Sequence, residues 1–452
     1  MRRAFPKSSI SLAFADLFSL FANLLIFRSL YLTWDLKSYS DWEWLSVWLG
    51  ICLLIPRNGL EIVALRAAIR HPLHLREWTA IVLVIRSILG CCASLIFFVT
   101  SLSMKPAESS LILPLSLTLV ASSLSPDIAP RAQFRFAKSS LIIMSRNVLF
   151  LFFLKLYGII SELPCMAGWA LFSAEVGLLV FWCIDAWLNH AFPGGRWMTL
   201  IRRAWRPILF SSVEQSITRW IRVFSWSCDA LILGMIAPAI WQEVAPARRF
   251  LMTGVIPVAG WIGTLGPLLT RQSVLEVQIL FQKGLLMVMS VTVVSATVAC
   301  LFGAEIIGSV FGLDNEVGIH SDILALNALR LAPIVIVMLS GACLTAIKAD
   351  RMVSLPGLIH LTGLFVGSIS IAFFQQSGFA FGMMICIEYV SALIGVTIVL
   401  QVIGKKKSNG IERIDLRNQS LRVDTGSLPA GSAKILAVMD GSKDEKWIGV
   451  VR

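Results

Sequence analysis

The sequence predicts an all-α integral membrane protein of twelve transmembrane helices, arranged as two six-helix lobes related as parallel repeats. Three observations carry that expectation. The chain is 57% hydrophobic and 15% charged, with a mean hydropathy of +0.79, whereas a soluble protein is roughly 25% charged. Its apolar residues gather in runs of the length a bilayer demands, about 20 residues each. Its Lys and Arg residues fall between alternate runs, as they do where short basic loops stay on the cytoplasmic side.

Taken in order, the spans are expected near 9–29, 43–63, 79–102, 109–128, 139–160, 165–187, 208–229, 246–269, 281–303, 323–346, 353–374 and 379–403. Basic residues occupy one set of connections. They are Arg2, Arg3 and Lys7, then Arg57, Arg66, Arg70 and Arg76, then Arg131, Arg135 and Lys138. Arg196, Arg202, Arg203 and Arg206 follow, then Arg271, then Lys348 and Arg351, and lastly Lys405, Lys406 and Lys407. The other set is short and neutral or acidic. "AEIIGSVFGLDNEVGIHSD" holds Glu305, Asp314, Glu316 and Asp322 and no Lys or Arg. Both termini are therefore expected in the cytoplasm. Arg248 and Arg249 break the alternation by falling near an external end.

Trp34, Trp42, Trp44 and Trp48 are expected to form an interfacial belt at the outer end of the second span. "YSDWEW" reads there as an acidic, Trp-rich turn. The expected domains are an N-terminal lobe over 1–205, a C-terminal lobe over 206–404 and a loosely ordered cytoplasmic tail over 405–452. No small-residue cleavage site follows the first apolar run, so a cleavable signal peptide is not expected. The nine cysteines lie in or beside apolar runs without metal-site spacing and read as small packing residues. The net charge of +12 resides in loops that orient helices, which argues against a nucleic-acid groove.

The seventh span carries the chemistry. In "SSVEQSITRWIRVFSWSCDALILG" a helix advances about 100° per residue, which brings Ser211, Gln215, Thr218, Arg219, Arg222, Trp226 and Asp229 into an arc of about 100°. Glu214 borders that arc, while Val213, Ile217, Trp220 and Phe224 occupy the other side. A charge at mid-bilayer costs at least ~2.5–3.5 kcal/mol on insertion scales. Confined to one face, the charges pair or line an aqueous cavity. The first span repeats the pattern more mildly, with Ser9, Asp16, Ser19 and Asn23 within about 80°. Spans one and seven lead the two halves. "GLEIVALR" closing span two echoes "GPLLTR" closing span eight. Two parallel repeats across a polar cavity are a common transporter plan.

The segment from Arg206 to Gln272 resembles the second half of polysaccharide flippases of the O-antigen type, within the multidrug/oligosaccharidyl-lipid/polysaccharide exporter superfamily. The residues that carry the resemblance are Pro207, Asp229 before "ALILG", Ala247 with Arg248 and Arg249, Pro267 and Arg271. In the first half the similar stretch runs from "IFRSLYLTWDLKSYSDWEW" to "GLEIVALR", with Arg28 closing span one. "LFGAEIIGSVFG" is similar to the end of the family's ninth span.

The resemblance implies alternating access in the cell inner membrane. Its cargo would be an oligosaccharide on an undecaprenyl pyrophosphate lipid, flipped to the periplasmic leaflet for surface polysaccharide synthesis. Arg219, Arg222, Arg248 and Arg249 would face the pyrophosphate, since guanidinium forks pair well with phosphate. Asp16, Asn23, Glu214 and Asp229 would complete the cavity. Membrane lipid, H+ or Na+ and polysaccharide-assembly proteins are the other expected partners, and no cofactor is expected.

A multidrug and toxin extrusion antiporter of the same fold class is the rival, with Asp16, Glu214, Asp229 and Glu388 as its cation or proton ligands. Arginine in the middle of span seven argues against cationic drugs. A membrane glycosyltransferase or polymerase would use Asp41 or Glu43 as an acid, yet such enzymes carry a large external loop that this chain lacks. His71 and His74 fit a solvated turn better than a metal site, and no Gly-rich phosphate loop precedes a Lys-Ser or Lys-Thr pair.

The charge pattern makes a direct topological prediction. Reporter fusions after Arg76, Arg203 and Lys407 should read cytoplasmic, and fusions near Lys105 and Asp314 external. An external reading at Lys407 would overturn the even number of spans.

Overall fold

The computed structural model describes residues 18, 21–57, 60, 75–105, 108–125, 136–160, 164–189, 197–269, 273–311, 321–347, 349, 352–374 and 377–423. They build helices α1 (Phe21–Thr33), α2 (Leu36–Cys52), α3 (Leu75–Met104), α4 (Ser109–Ser123), α5 (Phe136–Ile160) and α6 (Cys165–Leu188). Then follow α7 (Trp197–Ile236), α8 (Pro238–Leu269), α9 (Val274–Phe311), α10 (Ser321–Leu329), α11 (Leu331–Ala346), α12 (Leu355–Phe374) and α13 (Ser377–Val423). The protein is a multi-pass membrane protein of twelve spans in two six-helix lobes, the tenth span being α10 and α11 together. Among the described residues, five helices are long and apolar enough to cross a membrane. Their outward faces are greasy, as Leu95, Leu286 and Leu301 on α3 and α9 illustrate, each more than 60% exposed. Such faces suit lipid as solvent.

Local chemistry sets the helix boundaries. Asp35 caps α2 by accepting from the Ser38 amide at 3.3 Å, so the helix starts ahead of the expected residue 43 and takes in "YSDWEW". At α9, Ser273 and Glu276 form a capping box. The Ser273 amide donates to the Glu276 carboxylate at 2.8 Å, and the Glu276 amide donates to Ser273 Oγ at 3.3 Å. The break between α10 and α11 follows from Pro333. Lacking an N–H, it leaves the Leu329 carbonyl without its helical donor, and the Tyr389 hydroxyl of α13 donates to that oxygen at 2.9 Å instead.

Residues Met1–Leu400 form one compact unit, in which α3–α6 pack on one another and α7 packs on α12. α8 packs on α11, and α9 on α10 and α11. The two sets meet where α2 lies against α7 and α8 and where α3 touches α7. That junction is aromatic. The Trp241 indole N–H donates to the Ser40 carbonyl at 2.9 Å, and that of Trp44 to the Leu231 carbonyl at 3.3 Å. Gly234 makes the second contact possible, because a Cβ there would stand 2.1 Å from the Trp44 ring. Small residues let membrane helices approach closely in this way. Trp42 and Trp44 are therefore buried packing residues rather than members of the expected belt. Their ring faces meet protein on α7 and α5, which removes them from the lipid interface.

The second unit, Gln401–Arg452, is described to Val423 and is helical to that point. Helix thus extends into the segment expected to be loosely ordered, where "IERIDLRNQSLRV" is rich in helix-forming Arg, Leu and Glu. Residues 424–452 lie outside the described residues, as do Asp16, His71 and His74.

Substituting Gly234 by Ala should force Trp44 off its seat and destabilise the junction by roughly 1–3 kcal/mol, the usual range for overpacking. A lowered thermal midpoint of the purified protein would register it, and an unchanged midpoint would mean that the Trp44–Gly234 contact does not hold the two sets together.

Candidate functional site

The centre of the molecule is a row of alternating acids and bases. Glu43 on α2 places Oε1 3.5 Å from Arg248 Nη1 and Oε2 3.5 Å from Arg249 Nη1, both on α8. Arg248 Nε donates to Asp229 Oδ2 at 3.1 Å, and its Nη2 to the Trp226 carbonyl at 2.6 Å. The same Asp229 oxygen lies 2.8 Å from Arg330 Nη2. Arg330 in turn donates through Nε to Glu388 Oε1 at 2.8 Å. The sequence of contacts is Glu43, Arg248, Asp229, Arg330, Glu388, with Arg249 closing the Glu43 end. Three carboxylates meet three guanidinium groups, and the net charge is zero.

Burial makes the pairing obligatory. Glu43, Asp229, Arg248, Arg330 and Glu388 are each at most 2% exposed. An unpaired charge in such a place would cost several kcal/mol. Beyond the row, His360 Nδ1 lies 3.1 Å from Ser391 Oγ, which donates to the Glu388 carbonyl at 2.7 Å. Asp229 Oδ1, Glu388 Oε2 and His360 Nε2 are buried without a hydrogen-bond partner among the described residues.

Beside the Glu43 end lies a cavity of about 250 Å³. α1 contributes Asn23 and Phe27 to its wall, α2 contributes Tyr39, Trp42 and Glu43, α5 contributes Arg146 and Asn147, and α8 contributes Arg249. Arg146 is ion-paired with the buried Glu175 of α6. The cavity is amphipathic, its wall combining aromatic rings with amides and guanidinium groups.

Of the residues singled out in the sequence, Asp229, Arg248 and Arg249 come together in the charged row, and Asn23 and Arg249 line the cavity. The exception that Arg248 and Arg249 made to the loop-charge pattern has a physical cause, since Glu43 and Asp229 neutralise them inside the protein. Glu214, Arg219 and Arg222 lie on α7, with side chains outside the described residues, while Val213 and Ile217, expected on the opposite side, are exposed. "YSDWEW" corrects differently. It is no interface turn but part of α2, and Glu43 is a buried member of the row. Arg330 belongs neither to the polar face of span seven nor to the basic loops. The available signal was a lone guanidinium inside the apolar run 323–346, and intramembrane ionisable residues are functional by default.

Removing one member of the row should be worse than removing two. Arg330→Met strands Asp229 and Glu388 and should destabilise the protein by about 3–5 kcal/mol. Adding Glu388→Gln should recover part of that loss. Thermal melts followed by size-exclusion chromatography read both variants, and equal loss in the single and the double variant would refute pairing as the source of stability.

No family model matches the chain, and no curated protein does. Solved structures do. An inward-facing conformation of a multidrug resistance MATE family transporter of the MOP superfamily is similar at a TM-score of 0.67 and 14% identity, over 89% of this chain and 98% of that one. An outward-facing conformation of a MATE family transporter matches at a TM-score of 0.59 and 14% identity, over 90% and 96%. A MOP superfamily transporter from Pyrococcus furiosus, for which a reverse polarity of the binding pocket suggests a different function, matches at 0.61 and 13%, over 89% and 96%. Across nearly its whole length, the chain shares the fold of these MOP superfamily transporters.

Proposed function

We propose that this protein is an alternating-access transporter that flips a lipid-linked oligosaccharide of the undecaprenyl pyrophosphate type from the cytoplasmic to the periplasmic leaflet, for surface polysaccharide synthesis. Lobes over 1–205 and 206–404 rock against each other in the inner membrane, with both termini in the cytoplasm. One observation carries the reading. The charged groups that line the cavity are Glu43, Arg146 and Arg249. Glu43, the one carboxylate on the described wall, is already paired with Arg248 and Arg249, and Arg146 with Glu175 behind it, so a cation entering there finds its carboxylate taken. That wall disfavours a cationic drug and favours a hydroxylated or anionic head. Arg222 and Arg219, about two and three turns before Asp229 on the same helix face, would extend the cationic path for the pyrophosphate. The Pyrococcus furiosus protein, whose reverse pocket polarity suggests a different function, is a precedent within this fold for a change of function with pocket polarity.

A second reading rests on a separate observation. Asp229 Oδ1, Glu388 Oε2 and His360 Nε2 are buried and have no hydrogen-bond partner among the described residues, and such oxygen and nitrogen atoms could take a coupling H+ or Na+. That favours an ion-coupled multidrug and toxin extrusion antiporter; several solved structures of this fold are MATE transporters.

Complementation of a flippase-deficient strain, with protein abundance measured in parallel, separates the two. Arg249→Ala, Arg219→Ala and Arg222→Ala should each lower flipping by roughly tenfold or more, since a charge-assisted hydrogen bond is worth about 1.5–3 kcal/mol. Lysine at these positions should rescue only in part, because it lacks the planar fork. Ile217→Ala should spare transport. Full complementation by all three alanine variants, together with drug efflux that depends on Glu388, would move the assignment to the antiporter.

A further inference from the structure

The cavity between α1, α2, α5 and α8 has features that a path for phosphate alone does not need. Its about 250 Å³ falls below the ~300–1,000 Å³ of a drug-sized site. It is the size for one ring of a larger head. Trp42 stands in its wall with Tyr39, and the Trp42 ring is backed by Phe150 at 6.4 Å, tilted by 32°. Asn23 and Asn147 offer amide donors and acceptors, and Glu43 and Arg249 line the wall as a pair 3.5 Å apart. A pyranose ring has the matching chemistry. Its C–H face is apolar and suits an aromatic platform, while its hydroxyl edge both donates and accepts. An organic cation would meet Arg146 and Arg249.

Glu43 has a second role. It lines this cavity and also makes the ion-paired contact between α2 and α8, one oxygen on Arg248 and the other on Arg249. A ligand hydroxyl that donates to Glu43, or a ligand oxygen that accepts from Arg249, competes with that contact. Trp42 is the neighbouring residue on α2, so docking on its ring acts on the same helical turn.

We propose that this cavity is a carbohydrate subsite, and that Glu43 couples its occupancy to release of α2 from α8. Cargo in the cavity then loosens the junction that keeps the lobes together at this end. The proposal rests on the oligosaccharide reading above and adds which part of the cargo is sensed and by which residue.

The test uses the full chain in nanodiscs, with N-acetylglucosamine, glucuronic acid, inorganic pyrophosphate and tetraphenylphosphonium as probes. Calorimetry should show saturable binding of at least one sugar. Trp42→Ala should weaken it by about tenfold and Trp42→Phe by no more than about threefold, with thermal midpoints recorded to confirm folding. Hydrogen exchange over residues 36–48 should rise when sugar is added to the native protein. In Glu43→Gln it should be high without sugar and change little on addition. Sugar binding that is indifferent to Trp42, or exchange that sugar does not alter, would overturn the proposal. Pyrophosphate binding with no sugar binding would remove the subsite and leave the flippase reading standing. Tetraphenylphosphonium binding that Trp42→Ala abolishes would overturn both.

Discussion

The buried charged row of this protein is arranged around the carboxylate of Asp229. One of its oxygens serves two guanidinium groups, Arg248 at 3.1 Å and Arg330 at 2.8 Å. Through Arg248 it reaches Glu43 on the first lobe, and through Arg330 it reaches Glu388 on α13. In a medium with no water to screen them, opposite charges this close determine which helices are neighbours. α2, α7, α8, α13 and the break between α10 and α11 are held in one arrangement by that single constraint. The apolar packing between them is less selective, because lipid tails solvate leucine as well as protein does.

Much of the fold was legible in the sequence because bilayer thickness and loop charge are strong constraints. The span expected at 165–187 appears as Cys165–Leu188, and that at 353–374 as Leu355–Phe374. What was not legible depended on partners distant in sequence. Trp42 and Trp44 have the composition of an interface belt, and only the arrival of α5 and α7 places them inside. Glu43 looked like a turn residue for the same reason. Its two arginines lie on α8, far along the chain, and no local pattern announces them.

The site was legible in part. The face of span seven containing Asp229 could be read from a 100° advance per residue, since that periodicity belongs to the helix itself. The unexpected pairing of Arg248 and Arg249 with acids could not, though their position against the loop-charge rule already marked them as exceptions. Arg330 needed a different signal, a lone charge in an otherwise unbroken apolar run followed closely by Pro333. The row of charges and the cavity share Glu43, so stability and recognition draw on one side chain. A residue with both duties tolerates little substitution, because a change that suits the ligand unsettles the helix contact.

The order of the charged row along the chain bears on how the protein is made. Ribosomes deliver helices from the N-terminus onward, and a bare charge enters a bilayer at a cost. Asp229 and Arg248 lie on consecutive helices, so they can enter as a neutral hairpin soon after emerging. Arg330 then arrives to an Asp229 already in place, and Glu388, synthesised last of the row, arrives to Arg330. From Asp229 onward, each new charge meets a counter-ion that precedes it. Only Glu43 precedes its arginines; for the rest of the row, insertion from the N-terminus would use the same pairs that the finished structure shows.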